Sequence, residues 1–319
     1  SPALSVLHRY RMELVRGLHN LRPRHRGCAA TIGNFDGVHL GHQSVLGQLA
    51  ERASVLQVPV TVVLFEPQPM EYFAPESAPP RLTRFREKVE ALRRFGVERI
   101  VCLRFDQRLA GMTPEAFIRQ ILLDGLGVNY LVVGDDFRFG RDRAGTFSML
   151  EQAGEEHGFP VVNMHTFGIK GSRVSSTRSR EALAAGDLAA AEALLGRQFR
   201  MSGRVAHGDK RGRQIGFPTA NIHLHRTATP VSGVFAVEMF GLPHEPVPGI
   251  ANVGTRPTVD GTRTLLEVNL FNFNENIYGC HVQVEFLRKI REERRFESFQ
   301  ALKKQIERDV VKARGYFGL

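Results

Sequence analysis

The sequence predicts a two-part α/β protein: a parallel sheet covered by helices, then a small antiparallel β domain that closes with a helix. Three observations carry this. Apolar strand runs alternate with helical patterns through the first half, as they do when crossover helices cover both faces of a parallel sheet. After Gly186 the strand runs become short, closely spaced and broken by Gly, Pro and Asn, which suits an antiparallel barrel or sandwich. The length of 319 residues divides naturally into two domains of ordinary size. The boundary is expected at Gly186, giving domains 1–186 and 187–319.

In the first half, Ala29–Ile32 is a short apolar run ending at Gly33, and a helical pattern follows from Gly41 to Ala53. Val60–Phe65 is a continuous β-branched run, as in a strand buried on both faces. Arg84–Phe95 reads as a helix because Phe85, Val89, Leu92 and Phe95 recur at helical spacing. Ile100–Leu103 is the next strand. Pro114–Leu123 is a helix opened by proline, whose missing N–H costs little there. Tyr130–Val133 is a strand running into Gly134. Phe147–His157 is helical, Val161–His165 extended and Arg178–Ala185 helical. In the second half a short helix, Asp187–Leu195, precedes strand runs at Arg200–Val205, Val234–Phe240, Gly249–Val253, Thr264–Asn269 and Val282–Phe286. Ser298–Arg314 is a charged closing helix.

Composition narrows the function classes. No apolar run approaches the roughly 18 residues of a membrane span, and Ser1–Gly17 carries charges throughout, without a signal-peptide core. Cys28, Cys102 and Cys280 lie far apart with no CxxC pair, so the expectation is a reducing cytoplasm, without a disulfide framework or zinc site. The formal charge of +10 admits either nucleic-acid binding or an enzyme of phosphorylated substrates. The basic residues are spread along the chain, with only short clusters such as Arg288–Arg295, and no recognition-helix or zinc-finger pattern appears. The second reading is therefore preferred, with no nucleic-acid or membrane partner expected. The oligomeric state stays open.

The first candidate site is the segment Thr31–His42, which follows a strand and opens a helix. Gly33, Gly37 and Gly41 allow tight turns and close approach of backbone to ligand. A helix start presents N–H groups and partial positive charge to phosphate. His39 and His42 stand three apart and share a helix face, where two imidazoles can stabilise charge on a departing pyrophosphate. The spacing also admits metal ligation, though no third ligand is evident nearby.

The second is the run Gly203–Gly208 leading into Gly212–Asn221. Gly208, Gly212 and Gly216 let a loop fold closely over phosphates. Thr219 offers a hydroxyl and Asn221 a carbonyl, hard oxygen ligands suited to Mg²⁺ with phosphate oxygens. Read alone, the same residues make a turn with a polar cap. Glu267 lies in an apolar strand with Leu266 and Val268 on the opposite face, and read alone it is the solvent side of a half-exposed strand.

Together these segments resemble a known family. Gly33-Asn34-Phe35-Asp36-Gly37-Val38-His39-Leu40-Gly41-His42 resembles the HxGH nucleotidyltransferases and, in this form, the bacterial bifunctional riboflavin kinase/FMN adenylyltransferases, or FAD synthetases. Phe65–Pro69, Val133–Gly140, Val174–Arg180, the Gly216–Asn221 signature and Gly249–Thr258 fit the same family in order, so the resemblance covers essentially the whole chain. It implies a Rossmann-like nucleotidyltransferase domain followed by an antiparallel β-barrel riboflavin kinase domain. It implies ATP as co-substrate, Mg²⁺ as cofactor, and FMN and FAD as products. It implies that Gly33, Asn34, Phe35 and Gly41, with Ser175, Ser176 and Thr177, hold the adenylylating nucleotide, and that His39, His42 and Arg180 are catalytic. It places Glu66, Gln68, Asp135, Asp136 and Phe137 at the flavin of that site, with Asn252 and Thr255 near the ligands of the kinase. Gly208, Gly212, Gly216, Thr219 and Asn221 then look like the Mg²⁺–ATP residues of the kinase, with Thr219 and Asn221 on the metal and Glu267 as general base. The chain departs from some relatives in carrying Asp136 for Asn, and Glu66-Pro67-Gln68-Pro69 for Asp-Pro-His-Pro.

Overall fold

Strand runs that are apolar on both faces become the interior of a parallel sheet. The computed structural model describes residues 12–134, 136–167, 176–206, 216–244 and 246–319. Strands β1 (Glu13–Arg16), β2 (Cys28–Ile32), β3 (Val60–Glu66), β4 (Arg99–Arg104), β5 (Val128–Val133) and β6 (Val161–Asn163) pair in parallel in the order β1-β4-β3-β2-β5-β6. All of β2 is buried, and β3 is buried from Val60 to Phe65, as a sheet covered on both faces requires. Helices α1 (Leu40–Leu56), α2 (Pro69–Phe73), α3 (Phe85–Arg94), α4 (Pro114–Phe117) and α5 (Phe147–His157) supply the connections. Beyond α4 the chain continues as a π-helical stretch, Ile118–Gly125, so the helix expected over 114–123 changes its hydrogen-bond register midway.

β1 has no counterpart in the sequence reading, because four residues with a charge at each end leave no apolar run. It is held at the sheet edge by β4 and by Glu13, which receives Arg24 Nη2 at 2.6 Å, His25 Nε2 at 3.0 Å and Arg99 Nε at 3.4 Å.

The second half closes as a six-stranded antiparallel barrel. Strands β7 (Arg200–Ala206), β8 (Ala220–His223), β9 (Gly233–Phe240), β10 (Val247–Thr258), β11 (Gly261–Leu270) and β12 (His281–Arg291) run in the order β10-β11-β8-β7-β12-β9. The barrel alternative of the sequence reading holds, and closure removes exposed strand edges. Met201, Val237, Val253, Val282, Val284 and Phe286 are among its buried side chains. Helices α6 (Ser176–Ala184) and α7 (Leu188–Leu195) precede it, and Leu183, Leu188, Ala191 and Leu195 join the same apolar cluster. Helix α8 (Phe299–Phe317) ends the chain, with Asp309 Oδ2 receiving Arg291 Nε at 2.8 Å.

By contact density the chain forms two compact units, residues 1–79 with 88–173, and residues 80–87 with 174–319. No helix among the described residues is long and apolar enough to cross a membrane.

Candidate functional site

Strand order places the first site. β2 is flanked by β3 on one side and β5 on the other, so connections leave β2 and β5 in opposite directions. In open α/β sheets ligands bind in the crevice at the carboxyl ends of strands where the order reverses. The chain after β2 is Gly33–His39, and the chain after β5 is Gly134–Phe137.

The Gly33–His39 loop is tightly coiled. Gly37 has φ 83°, and Phe35 and Val38 also lie in the left-handed region at φ 49° and 41°. Such backbone is held only when the surroundings over-determine it; here the Phe35 ring and Val38 are fully buried. The coil brings His39 to the N-cap of α1, where its Nδ1 accepts the N–H of His42 at 3.3 Å. His39 is thus the cap itself, one step before the first turn on which the spacing placed it. An accepting Nδ1 puts the imidazole proton on Nε2. The His39 and His42 rings stack at 3.6 Å between centroids, and Phe35 lies 4.7 Å from His42 on tilted planes. The stack fixes both imidazoles beside the helix N-terminus, where anions are favoured. Among the described residues no three His, Cys, Asp or Glu side chains gather to hold a metal.

Gln68 follows β3 and caps α2, with its backbone N–H donating to Glu71 Oε1 at 2.8 Å. Its side chain is buried, and among the described residues Nε2 has no partner. Buried amide groups call for one. Next to Gln68 stand Tyr72, Phe73 and Phe105, with ring centroids 5.1–5.6 Å apart, and Phe105 also meets Phe65 at 5.7 Å. Phe73 is 63% exposed. This aromatic ledge escapes the sequence reading because its rings come from two separate strand ends. After β5, the N–H of Phe137 bonds the Gly134 carbonyl at 3.0 Å, and Asp136 Oδ1 folds back toward Gly134. The Phe137 ring stacks on Phe139 and packs against the apolar core. Asp135 and Ser175 lie outside the described residues. Ser176 begins α6, followed by Thr177, and Arg180 Nε donates to the Pro80 carbonyl at 2.7 Å within the barrel unit.

The second site is set by strand register. β11 lies between β8 and β10, with Glu267 opposite Asn221 on one side and opposite Asn252 on the other. Directly opposed residues share a face, so the three form one polar row across three strands. Their neighbours Ile222, Ala251, Val253, Leu266 and Val268 are buried on the inner face, which puts the row on the outer face. Asn221, expected in a turn, is therefore strand-borne. Glu267 is 24% exposed by side chain, and Oε1 receives Arg256 Nη2 at 3.5 Å. Asn252 Oδ1 is buried and without a partner among the described residues. Thr219 stands just before β8, and the Pro218 carbonyl accepts Asn269 Nδ2 at 2.8 Å, which ties this turn to β11. Gly216 has φ 81°, where a glycine is needed. Thr255 pairs with Thr264 and stands an odd number of residues from Asn252, so it does not join the row. Gly208 and Gly212 lie outside the described residues.

The carboxyl ends of β2 and β5 in the parallel sheet and the polar row on the barrel are the two candidate sites. Residues 21–178 match the FAD synthetase family and residues 195–317 the riboflavin kinase family. Bifunctional riboflavin kinase/FMN adenylyltransferases are 53% identical over 97% of the chain in Escherichia coli K12 and over 95% in Pseudomonas fluorescens, covering 99% and 97% of those proteins. The one from Haemophilus influenzae is 50% identical over 96% of the chain and 99% of its own length. The chain belongs to the bifunctional riboflavin kinase/FMN adenylyltransferase family. A crystal structure described as a macrolide-efflux protein from Streptococcus pneumoniae aligns with a TM-score of 0.75 at 30% identity, covering 95% of this chain and 99% of that one.

Proposed function

We propose that the chain makes FAD in two steps at the two sites just described. It is an enzyme with riboflavin kinase and FMN adenylyltransferase activities, using ATP to convert riboflavin to FMN and FMN to FAD. The division by residue, with domains meeting at Gly186, is our reading. The observation that carries it is the register aligning Asn221, Glu267 and Asn252 in one outer-face row.

In the kinase, Glu267 takes the proton of the riboflavin 5′-hydroxyl, whose oxygen attacks the γ-phosphorus of ATP as ADP leaves. Asn252 Oδ1, buried beside Glu267, accepts a hydrogen bond from the flavin's ribityl chain. The hydroxyl of Thr219 and the amide oxygen of Asn221 suit Mg²⁺ by donor chemistry, and Asn221 stands next to the proposed base. Bound there, Mg²⁺ supplies charge neutralisation on the phosphates. Gly208, Gly212 and Gly216 are assigned to the phosphates of the same ATP.

In the adenylyltransferase, an oxygen of the FMN phosphate attacks the α-phosphorus of ATP and pyrophosphate leaves. A phosphate needs no base, so positioning and charge stabilisation suffice. The His39 Nε2–H, His42 and the first turn of α1 meet the leaving phosphates. The Tyr72–Phe73–Phe105 ledge stacks the flavin ring system, and the buried Gln68 amide donates to its polar edge. The enzyme works in the cytoplasm, and its excess of basic charge serves phosphorylated substrates, with no nucleic-acid partner.

Incubation with riboflavin, ATP and Mg²⁺, followed by chromatography, should yield FMN and then FAD. Flavin binding without conversion would refute the reading.

A further inference from the structure

The turn that carries Thr219 is tied by a side chain to the strand that carries Glu267. Antiparallel pairing of β8 with β11 runs from Leu266 opposite Ile222 to Val268 opposite Ala220. One step further would set Asn269 opposite Thr219, but the pairing ends at Ala220, and Pro218 has no N–H with which to extend it. The amide of Asn269 takes over where the ladder stops: its Nδ2 donates to the Pro218 carbonyl at 2.8 Å. Thr219 therefore stands between two attachments to β11, the Asn269 amide on Pro218 and the pairing of Ala220 with Val268. Asn269 lies two residues beyond Glu267 on β11, so it shares the outer face that carries the polar row. Its own main chain is closely held from the other side. It pairs with Ile250 on β10, and a Cβ on Gly249 would lie 2.5 Å from the Asn269 carbonyl oxygen, so β10 passes there as closely as a glycine allows.

A metal ligand and a general base serve one phosphoryl transfer only while their separation is fixed, since a misplacement of about 1 Å can cost about a hundredfold in rate. We propose that Asn269 is a positioning residue of the kinase: its amide holds the Pro218–Thr219 turn against β11, so that the Thr219 hydroxyl meets the Mg²⁺–nucleotide at a set distance from Glu267. Without that amide the turn is attached to β11 on one side of Thr219 instead of both. The inference rests on the reading that Thr219 ligates Mg²⁺ and that Glu267 is the base.

The test uses the full chain with Asn269→Leu, which keeps the size and branching of the side chain without its amide, and Asn269→Ser, which stays polar but is too short to reach Pro218. Each is compared with Thr219→Ala and with Thr219→Ala combined with Asn269→Leu. Calorimetric binding of ADP with Mg²⁺ reads the site without turnover, and FMN formation reads it with turnover. Both Asn269 variants should bind Mg²⁺–ADP about fivefold to tenfold more weakly and lose about tenfold to a hundredfold in kcat, with KM for riboflavin within about twofold and FAD formation from supplied FMN unchanged. In the Thr219→Ala background, Asn269→Leu should cost less than about twofold more, because residues that act as one unit are not additive. A side chain that merely stabilised the barrel would cost as much there as in the unaltered chain. Unaltered Mg²⁺–ADP affinity and kcat in Asn269→Leu and Asn269→Ser, or a full further loss in the double variant, overturns the inference. If Thr219→Ala itself binds Mg²⁺–ADP as the unaltered chain does, Thr219 is not on the metal and the underlying reading is at fault. If Thr219→Ala is weakened while the Asn269 variants are not, only the role of Asn269 falls.

Discussion

His39 has two tasks in the account, and one pair of substitutions separates them. Its Nδ1 caps α1 through the His42 N–H at 3.3 Å, and its Nε2–H is assigned to the departing pyrophosphate. Asparagine caps a helix as well as any residue but places no donor where Nε2 stands. Alanine does neither. Loss of a cap costs about 1 kcal/mol, which in a unit of this size lowers Tm by roughly 2–4 °C. Loss of one preorganised donor to developing charge costs about two to three decades in rate. His39→Asn should therefore form FAD from FMN about a hundredfold to a thousandfold more slowly, with Tm close to that of the unaltered chain. His39→Ala should lose the same activity and also a few degrees. FMN formation should be intact in both. The assay is each half-reaction followed by chromatography, beside thermal unfolding of the same preparations. FAD formation at a near-native rate in His39→Asn would show that the ring is a cap and nothing more.

Three further outcomes follow from the geometry. Glu13 has its pKa pulled down to about 2, first by the Arg24 hydrogen bond; a depressed carboxylate stabilises the fold above its unfolded value of 4.5 and loses this as pH falls toward 2, so the stability gap between the native chain and Glu13→Gln should shrink over that window in acid denaturation. Gly203→Ala would press a Cβ into the His223 carbonyl and within 2.8 Å of Ile222 Cγ2, and should destabilise the barrel by about 1–3 kcal/mol with loss of FMN formation, as read by urea unfolding and kinase assay. Asp309→Ala leaves Arg291 without its 2.8 Å partner beneath α8; stranding one member of such a pair costs up to about 3–5 kcal/mol, measured as a drop in Tm.

The sequence revealed elements where burial is simple and missed them where register decides. Val60–Phe65 and Phe147–His157 announce themselves by a continuous β-branched run and by helical period. β1 does not, because its anchoring comes from Arg24, His25 and Arg99 at a distance. β8 does not, because its first two residues, Ala220 and Asn221, read as the end of a phosphate loop. The candidate residues of each site were named from motifs, yet the alignment of Asn221, Glu267 and Asn252 depends on pairing between strands 46 and 15 residues apart along the chain, which no local pattern encodes. The His39 cap, the aromatic ledge and the tie from Asn269 to Pro218 are likewise products of tertiary placement.

The central claim is that one chain holds two independent chemistries, and reciprocal half-reactions test it most directly. Glu267→Gln and His42→Ala are each assayed for FMN formation from riboflavin and for FAD formation from supplied FMN. Glu267→Gln should lose about two to four decades of the first rate and keep the second. His42→Ala should keep the first and lose about two to three decades of the second. Loss of both reactions in either variant, with the fold intact, would contradict the assignment of separate sites.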